Sequence, residues 1–206
     1  MEEQKKSTRN RKLIAALCSL VLCMLLIGVS VYAALSQSAT ITNTISITTA
    51  GQVKTSVIVK EYANAGTDAI SAVPNETPTF GKEVLNKAAN LDTKTAEATP
   101  FVFSTTDGKN YYAYEISFAN SSTIAVNATI ASSTESNEEI DVYAGATWAD
   151  MTKVDNGKGV DGTVNLAAQT GTGKFYIMVC ANKALGELTG VTESPAFNVN
   201  INIVAA

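Results

Sequence analysis

The chain has 206 residues, of which 46% are apolar, 17% charged and 7% aromatic. That suits one domain of ordinary size and is too apolar for a wholly disordered chain, while 13 Gly and 4 Pro exclude a collagen repeat. There is no histidine, so the commonest metal ligand and the commonest general base are both missing, and the net charge of −4 is unevenly spread.

Residues 1–12 carry Lys5, Lys6, Arg9, Arg11 and Lys12 against Glu2 and Glu3. The segment Leu13–Leu35 is apolar, interrupted by Ser19, Gly28 and Ser30. This is the pattern of an export signal, and Val31 and Ala33 suit the −3 and −1 positions of a cleavage site between Ala33 and Ala34. An uncleaved membrane anchor is the other reading, since such a segment at ~1.5 Å per residue can span a ~30 Å hydrocarbon core. The small residues at its end, in place of a basic flank, favour cleavage. The expected organisation is a signal peptide over residues 1–33 and one domain over residues 34–206, with the membrane touched only through the signal. Cys18 and Cys23 follow Leu17 and Leu22, which does not suit lipoprotein processing.

From Ala34 onward, 10 Lys, no Arg and 17 acidic residues leave a balance of −7. That is not the basic surface nucleic acid requires. Cys180 is the one cysteine of this part, so no internal disulfide is expected, and its apolar run Phe175–Ala181 predicts a buried, inert thiol.

Ala39–Thr49 alternates strictly, with Ile41, Ile45 and Ile47 on one face and Thr or Ser on the other, which predicts a half-buried strand. Gly51 ends it, and Val53–Tyr62 reads as the next strand. Residues 63–98 are looser, with Pro74 and Pro78 marking loops; Val84, Leu85, Ala88 and Leu91 recur at helical spacing and predict a short helix over Lys82–Asn90. Phe101–Ser104 reads as a strand, Asp107-Gly108 as a turn and Tyr111–Asn120 as the strongest core strand, with Tyr112, Tyr114, Ile116 and Phe118 sharing a face. Strands are expected at Ile124–Ile130, Glu139–Ala144, Val164–Leu166, Lys174–Ala181 and Ala196–Val204. Lys174–Ala181 is apolar on both faces and so central. Eight or nine short strands without a strong helix predict an all-β antiparallel two-sheet sandwich of jelly-roll or Greek-key type.

Gly171-Thr172-Gly173-Lys174 lacks the first Gly and the final Ser/Thr of a phosphate loop and precedes a strand, so it reads as a hairpin turn. The cluster Asp155–Gly162 lacks calcium ligands at its third, fifth and twelfth positions, which are Gly157, Gly159 and Leu166; it reads as a turn. The acidic run Glu135, Glu138, Glu139 and Asp141 reads as a solvated loop and strand edge. Trp148, the single Trp, reads as a packed cap. Nothing activates the many Ser and Thr hydroxyls, and no catalytic, cofactor or metal residues are assigned.

Val31–Ser36, Asn43-Thr44-Ile45 and Ala50-Gly51-Gln52-Val53 together resemble the signal exit and first strand of the TasA/camelysin family of secreted biofilm matrix proteins, with their SipW-type signal. Tyr114–Ile130 is similar to that family's strand–Asn-turn–strand hairpin, and Val164–Val179 to a later polar-turn hairpin. The resemblance implies a Gram-positive secreted jelly-roll subunit. It would be processed by a dedicated signal peptidase and self-associate into extracellular matrix or surface fibres by donating its amino-terminal strand, with Ile41, Ile45 and Ile47 as the assembly residues. Some relatives are described as metalloendopeptidases, and this chain departs from them in having no His-Glu-x-x-His. The expected function is therefore a structural fibre subunit rather than an enzyme. The alternative is a membrane-anchored cell-surface binding module for a glycan or host ligand.

Overall fold

A computed structural model describes residues 43–49, 53–89, 93–98, 101–188 and 197–206. Ala33, Ala34 and Ile41, and the expected signal helix, lie outside the described residues. Eleven strands are present among the described residues: β1 (Asn43–Thr49), β2 (Thr55–Ala65), β3 (Lys82–Lys87), β4 (Lys94–Ala98), β5 (Lys109–Asn120), β6 (Val126–Ser132), β7 (Ile140–Gly145), β8 (Thr152–Lys153), β9 (Asp161–Leu166), β10 (Thr172–Ala181) and β11 (Asn198–Ala205). The one described helix is a 3-10 turn at Leu185–Glu187.

The strands form two sheets. One has five strands in the order β4-β1-β11-β6-β9, the other six in the order β3-β2-β5-β10-β7-β8. Both contribute to one apolar core: Ile45, Ile47, Val126, Ile130, Val199 and Ile201 from the first, and Val57, Val59, Tyr112, Tyr114, Ile116 and Ile177 from the second. The expected two-sheet sandwich is present. Its pairings are antiparallel with one exception between strands: β1 runs parallel to β11, with Ile45 opposite Val199 and Ile47 opposite Ile201.

Period-2 patterning accounts for most strands. In β5, Tyr112, Tyr114, Ile116 and Phe118 face inward, and β10 lies between β5 and β7 as its two apolar faces require. The Asn120-Ser121-Ser122 turn is held by Asn120, whose Nδ2 donates to Ile124 O at 2.9 Å and Ala167 O at 2.8 Å.

Four expectations are corrected. The helix over Lys82–Asn90 is instead the edge strand β3, paired with β2, with Leu85 and Lys87 buried in alternation. A register shift opposite Val59/Lys60 interrupts that alternation and produced the apparent helical spacing. Phe101–Ser104 makes no ladder. Phe101 and Phe103 are buried, and Val102 is tied by both its N–H and its C=O to the Tyr112 hydroxyl, at 3.2 and 3.1 Å. Ile124 is exposed, and β6 begins at Val126. The acidic run is split: Glu135 and Glu138 are exposed, but Glu139 and Asp141 are buried at β7.

Candidate functional site

The expected assembly strand occupies an interior place in its own sheet. β1 lies between β11 and β4, with Ile45 and Ile47 fully buried. Its start is fastened to the last strand: Thr44 N donates to Phe197 O at 3.0 Å, and Phe197 N donates to Asn43 Oδ1 at 3.2 Å. Asn43 is itself buried, a role that the Thr/Ser/Ile alternation did not announce. On the opposite face Ser46 Oγ donates to Asn200 Oδ1 at 2.6 Å. The strand thus fills a seat whose walls are the ladder groups of β11 and β4 and whose floor is the apolar core. The structure brings Ile45 and Ile47 to the same core face; Ile41 is outside the described residues.

The remaining candidates become structural features. Tyr111, Tyr143, Trp148, Met151, Tyr176 and Cys180 form a second apolar cluster on the outer face of the six-stranded sheet. The segment 66–81 covers it with Ile70, Val73 and Phe80. Trp148 Nε1 donates to Pro74 O at 2.7 Å and the Tyr143 hydroxyl to Ser71 O at 3.2 Å, so the Trp is a cap, as expected. Tyr111 is buried within this covered cluster. Burial pushes the Cys180 thiol up to about 12, consistent with an inert group. Tyr114, stacked on Phe197 at 4.9 Å between ring centroids, has its hydroxyl raised well above the ordinary value by burial, with the nearby Glu61 charge adding to it.

Asp141 pairs with Lys153 at 2.8 Å and accepts from Asn182 Nδ2 at 3.0 Å, which accounts for its burial. A shallow open cavity of about 320 Å³ lies beside it, lined in part by Lys153, Asp155, Lys158 and Asp161. Its lysines are engaged: Lys153 with Asp141, and Lys158 with Asp155 at 2.9 Å. The expected turn region Asp155–Gly162 is shorter than its sequence suggests: residues 155–160 are irregular, with Gly157 at φ 75°, while Asp161 and Gly162 already belong to β9 and pair with Ala131 and Ile130 of β6. Among the described residues no three His, Cys, Asp or Glu side chains are grouped to hold a metal ion. The expected hairpin turn at Gly171–Lys174 is corrected: Thr172, Gly173 and Lys174 already belong to β10 and pair with β5, and the turn before them, at residues 168–170, passes from β9 in one sheet to β10 in the other. Among the described residues no helix is long and apolar enough to cross a membrane.

No protein-family model matches the chain, and no curated protein does. Several solved structures resemble it distantly. A β-glucosidase from Kluyveromyces marxianus in complex with glucose gives a TM-score of 0.29 at 12% identity, covering 73% of this chain and 15% of that one. TmCBM61 in complex with β-1,4-galactotriose gives 0.22 at 11%, covering 44% and 63%. CBM35 from Paenibacillus barcinonensis gives 0.20 at 15%, covering 71% and 98%. With TM-scores and identities this low, these likenesses carry no argument about what this chain binds or does. The conclusion that stands is that the chain is an all-β sandwich whose first described strand lies between β11 and β4 of its own sheet.

Proposed function

We propose that the protein is an exported, non-enzymatic structural subunit that self-associates into extracellular fibres by exchanging β1 between copies. The supporting observation is the place of β1. It comes first among the described strands, yet it fills an interior position, parallel to β11 and paired on its other side with β4. An element at one end of a sandwich can leave its seat and be replaced by the same element of another copy with every contact preserved, which makes exchange a low-cost route to assembly. A copy whose seat is filled by its neighbour offers its own β1 to the next. The contact is then heterologous and propagates if it does not close. The resemblance to the TasA/camelysin family points the same way, and so does the signal-like start of the chain.

The Ser46/Asn200 pair provides the test, because the two residues are register partners on β1 and β11. In a Ser46→Cys/Asn200→Cys double variant of the exported protein, mild oxidation links the two strands. Exchange gives a ladder of covalent multimers on a non-reducing gel and filaments by electron microscopy. Only internally linked monomer, at every protein concentration, overturns the proposal.

A further inference from the structure

The five-stranded sheet has a second face, which the core does not use. On β1 it shows Thr44, Ser46 and Thr48; on β11, Asn198, Asn200 and Asn202; on β6, Asn127, Thr129 and Ala131; on β9, Thr163 and Asn165. All of these are exposed or half-buried, while their inward neighbours are buried. The registers align them in rows across the sheet. Ser46 stands beside Asn200 and Asn200 beside Ala131; Thr48, Asn202, Thr129 and Thr163 follow one another; Asn127 lies beside Asn165. Rows of this kind repeat at ~4.8 Å from strand to strand and about 6.8 Å along each strand.

Two properties set this face apart from an ordinary solvated one. Its three middle strands are neutral: no ionisable side chain faces outward from β1, β11 or β6, and the face is bounded by two carboxylates on the edge strands, Glu97 of β4 beside Thr44 and Asp161 of β9 beside Ala131. It also opposes local propensity. Thr suits a strand, but Asn is depleted there, and Asn nevertheless recurs at 127, 165, 198, 200 and 202. A conflict between propensity and fold concentrates where function requires it. The side chains are partly ordered in advance, since Ser46 Oγ donates to Asn200 Oδ1 at 2.6 Å and Thr129 Oγ1 to Asn202 O at 3.2 Å.

We propose that this face binds a neutral, polyhydroxylated polymer, that is, an uncharged polysaccharide laid across the strands. Amide and hydroxyl side chains both donate and accept, as sugar hydroxyls do. The charge balance selects the class. A face without cations, on a domain that carries −7 beyond residue 33, has nothing to offer an anionic polymer. No aromatic side chain lies among the outward residues, so a single sugar has nothing to stack on; binding accumulates over many repeats of an extended or insoluble chain. This inference does not require strand exchange, because the rows are the same whether β1 comes from its own copy or from a neighbour.

The test is co-sedimentation of the exported protein with microcrystalline cellulose and with chitin, with heparin-agarose as the charged control. The expected result is retention on at least one neutral polymer that persists at high salt and is absent on heparin. Asn200→Lys/Thr129→Lys should reduce the retained fraction at least tenfold with an unchanged denaturation midpoint. Thr163→Lys on the edge strand serves the same purpose if the double variant does not fold. No retention on either polymer, retention abolished by salt, or retention undiminished in a folded variant overturns the proposal. So does a finding that the lysine variants only dissolve face-to-face dimers. The cysteine cross-link reads strand exchange separately, so failure of one proposal is distinguishable from failure of the other.

Discussion

Truncating Ile45 and Ile47 measures what the β1 seat contributes. Both side chains are fully buried; Ile45 is registered with Val199 and Ala96, and Ile47 with Ile201. Replacing a buried Ile by Ala removes its transfer free energy and leaves a cavity, at a cost of about 2–5 kcal/mol each. The two sites are neighbours on one strand face, so the double variant need not sum. Even one substitution is a large part of the about 5–15 kcal/mol that holds a typical domain. Thr48→Ala, on the same strand but facing out, should change stability by less than about 0.5 kcal/mol. The assay is urea denaturation followed by Trp148 fluorescence, because Trp148 belongs to the cluster on the other sheet and reports global loss of structure. Losses below about 1 kcal/mol for both Ile45→Ala and Ile47→Ala would refute the claim that this strand is seated in the core. The same titration distinguishes a strand supplied by its own chain from one supplied by a neighbour, since only the latter makes the midpoint rise with protein concentration.

Cys180 should resist alkylation in the native protein at about pH 8 and react fully in urea, because it is buried with its thiol pushed up to about 12; rapid native modification, read by mass spectrometry, would contradict that placement. Glu115 should contribute to acid stability. Partial burial raises its pKa, but the hydrogen bonds from Lys174 at 2.7 Å and Tyr176 at 3.1 Å outweigh this and hold it below the ordinary carboxylate value. Its contribution is therefore complete above the unfolded pKa and is lost as pH falls through the lowered folded one, so Glu115→Gln should flatten the acid limb of the stability profile by less than about 1 kcal/mol, Lys174 being half exposed. Gly159→Ala should be strongly destabilising, since a Cβ there would lie 1.8 Å from Ser132 O; a midpoint unchanged in thermal denaturation would contradict that close approach of residue 159 to β6.

Legibility in the sequence followed the strength of the local signal. Where β-branched or aromatic residues alternate without interruption, as at Tyr112–Phe118 and Phe197–Ile203, pattern and structure agree, because one face must be buried and register is then strongly specified; the unbroken apolar run Phe175–Ala181 agrees as a central strand buried on both faces. The signal failed where pairing deviated from period 2. The irregularity at Val59/Lys60 disguised β3 as a helix, and β4, Lys94–Ala98, carries too little apolar area to be recognised. Glu139 and Asp141 read as solvated because nothing local reveals that Lys183 approaches the first at 3.8 Å and that Lys153 and Asn182 meet the second. The second cluster was half legible: Trp148 reads as a cap, but what it caps depends on segment 66–81 folding back over the sheet.

The parallel pairing of β1 with β11 was the least legible feature and carries the most consequence. Alternation in Ala39–Thr49 specifies which residues face the core, but contains nothing about which strand lies alongside, since parallel and antiparallel partners accept the same pattern. Chain order supplies the missing constraint only after folding. A strand near one end of the sandwich that runs parallel to the last strand must enter the sheet from the same side on which β11 begins, and β4 then closes its other edge. Its two faces therefore answer to different requirements. Ile45 and Ile47 serve any copy that offers the seat, while Thr44, Ser46 and Thr48 extend the rows begun by Asn198, Asn200 and Asn202. If β1 is exchanged, each subunit's outward rows are completed by its neighbour, so a break in the fibre is also a break in the neutral face. Ile45→Asp then makes a joint prediction. It should abolish filaments by placing a charge in the seat, and it should also lower polysaccharide retention, though the introduced carboxylate faces away from the polymer. Filaments lost with retention per folded subunit unchanged would show that the two faces of β1 act independently.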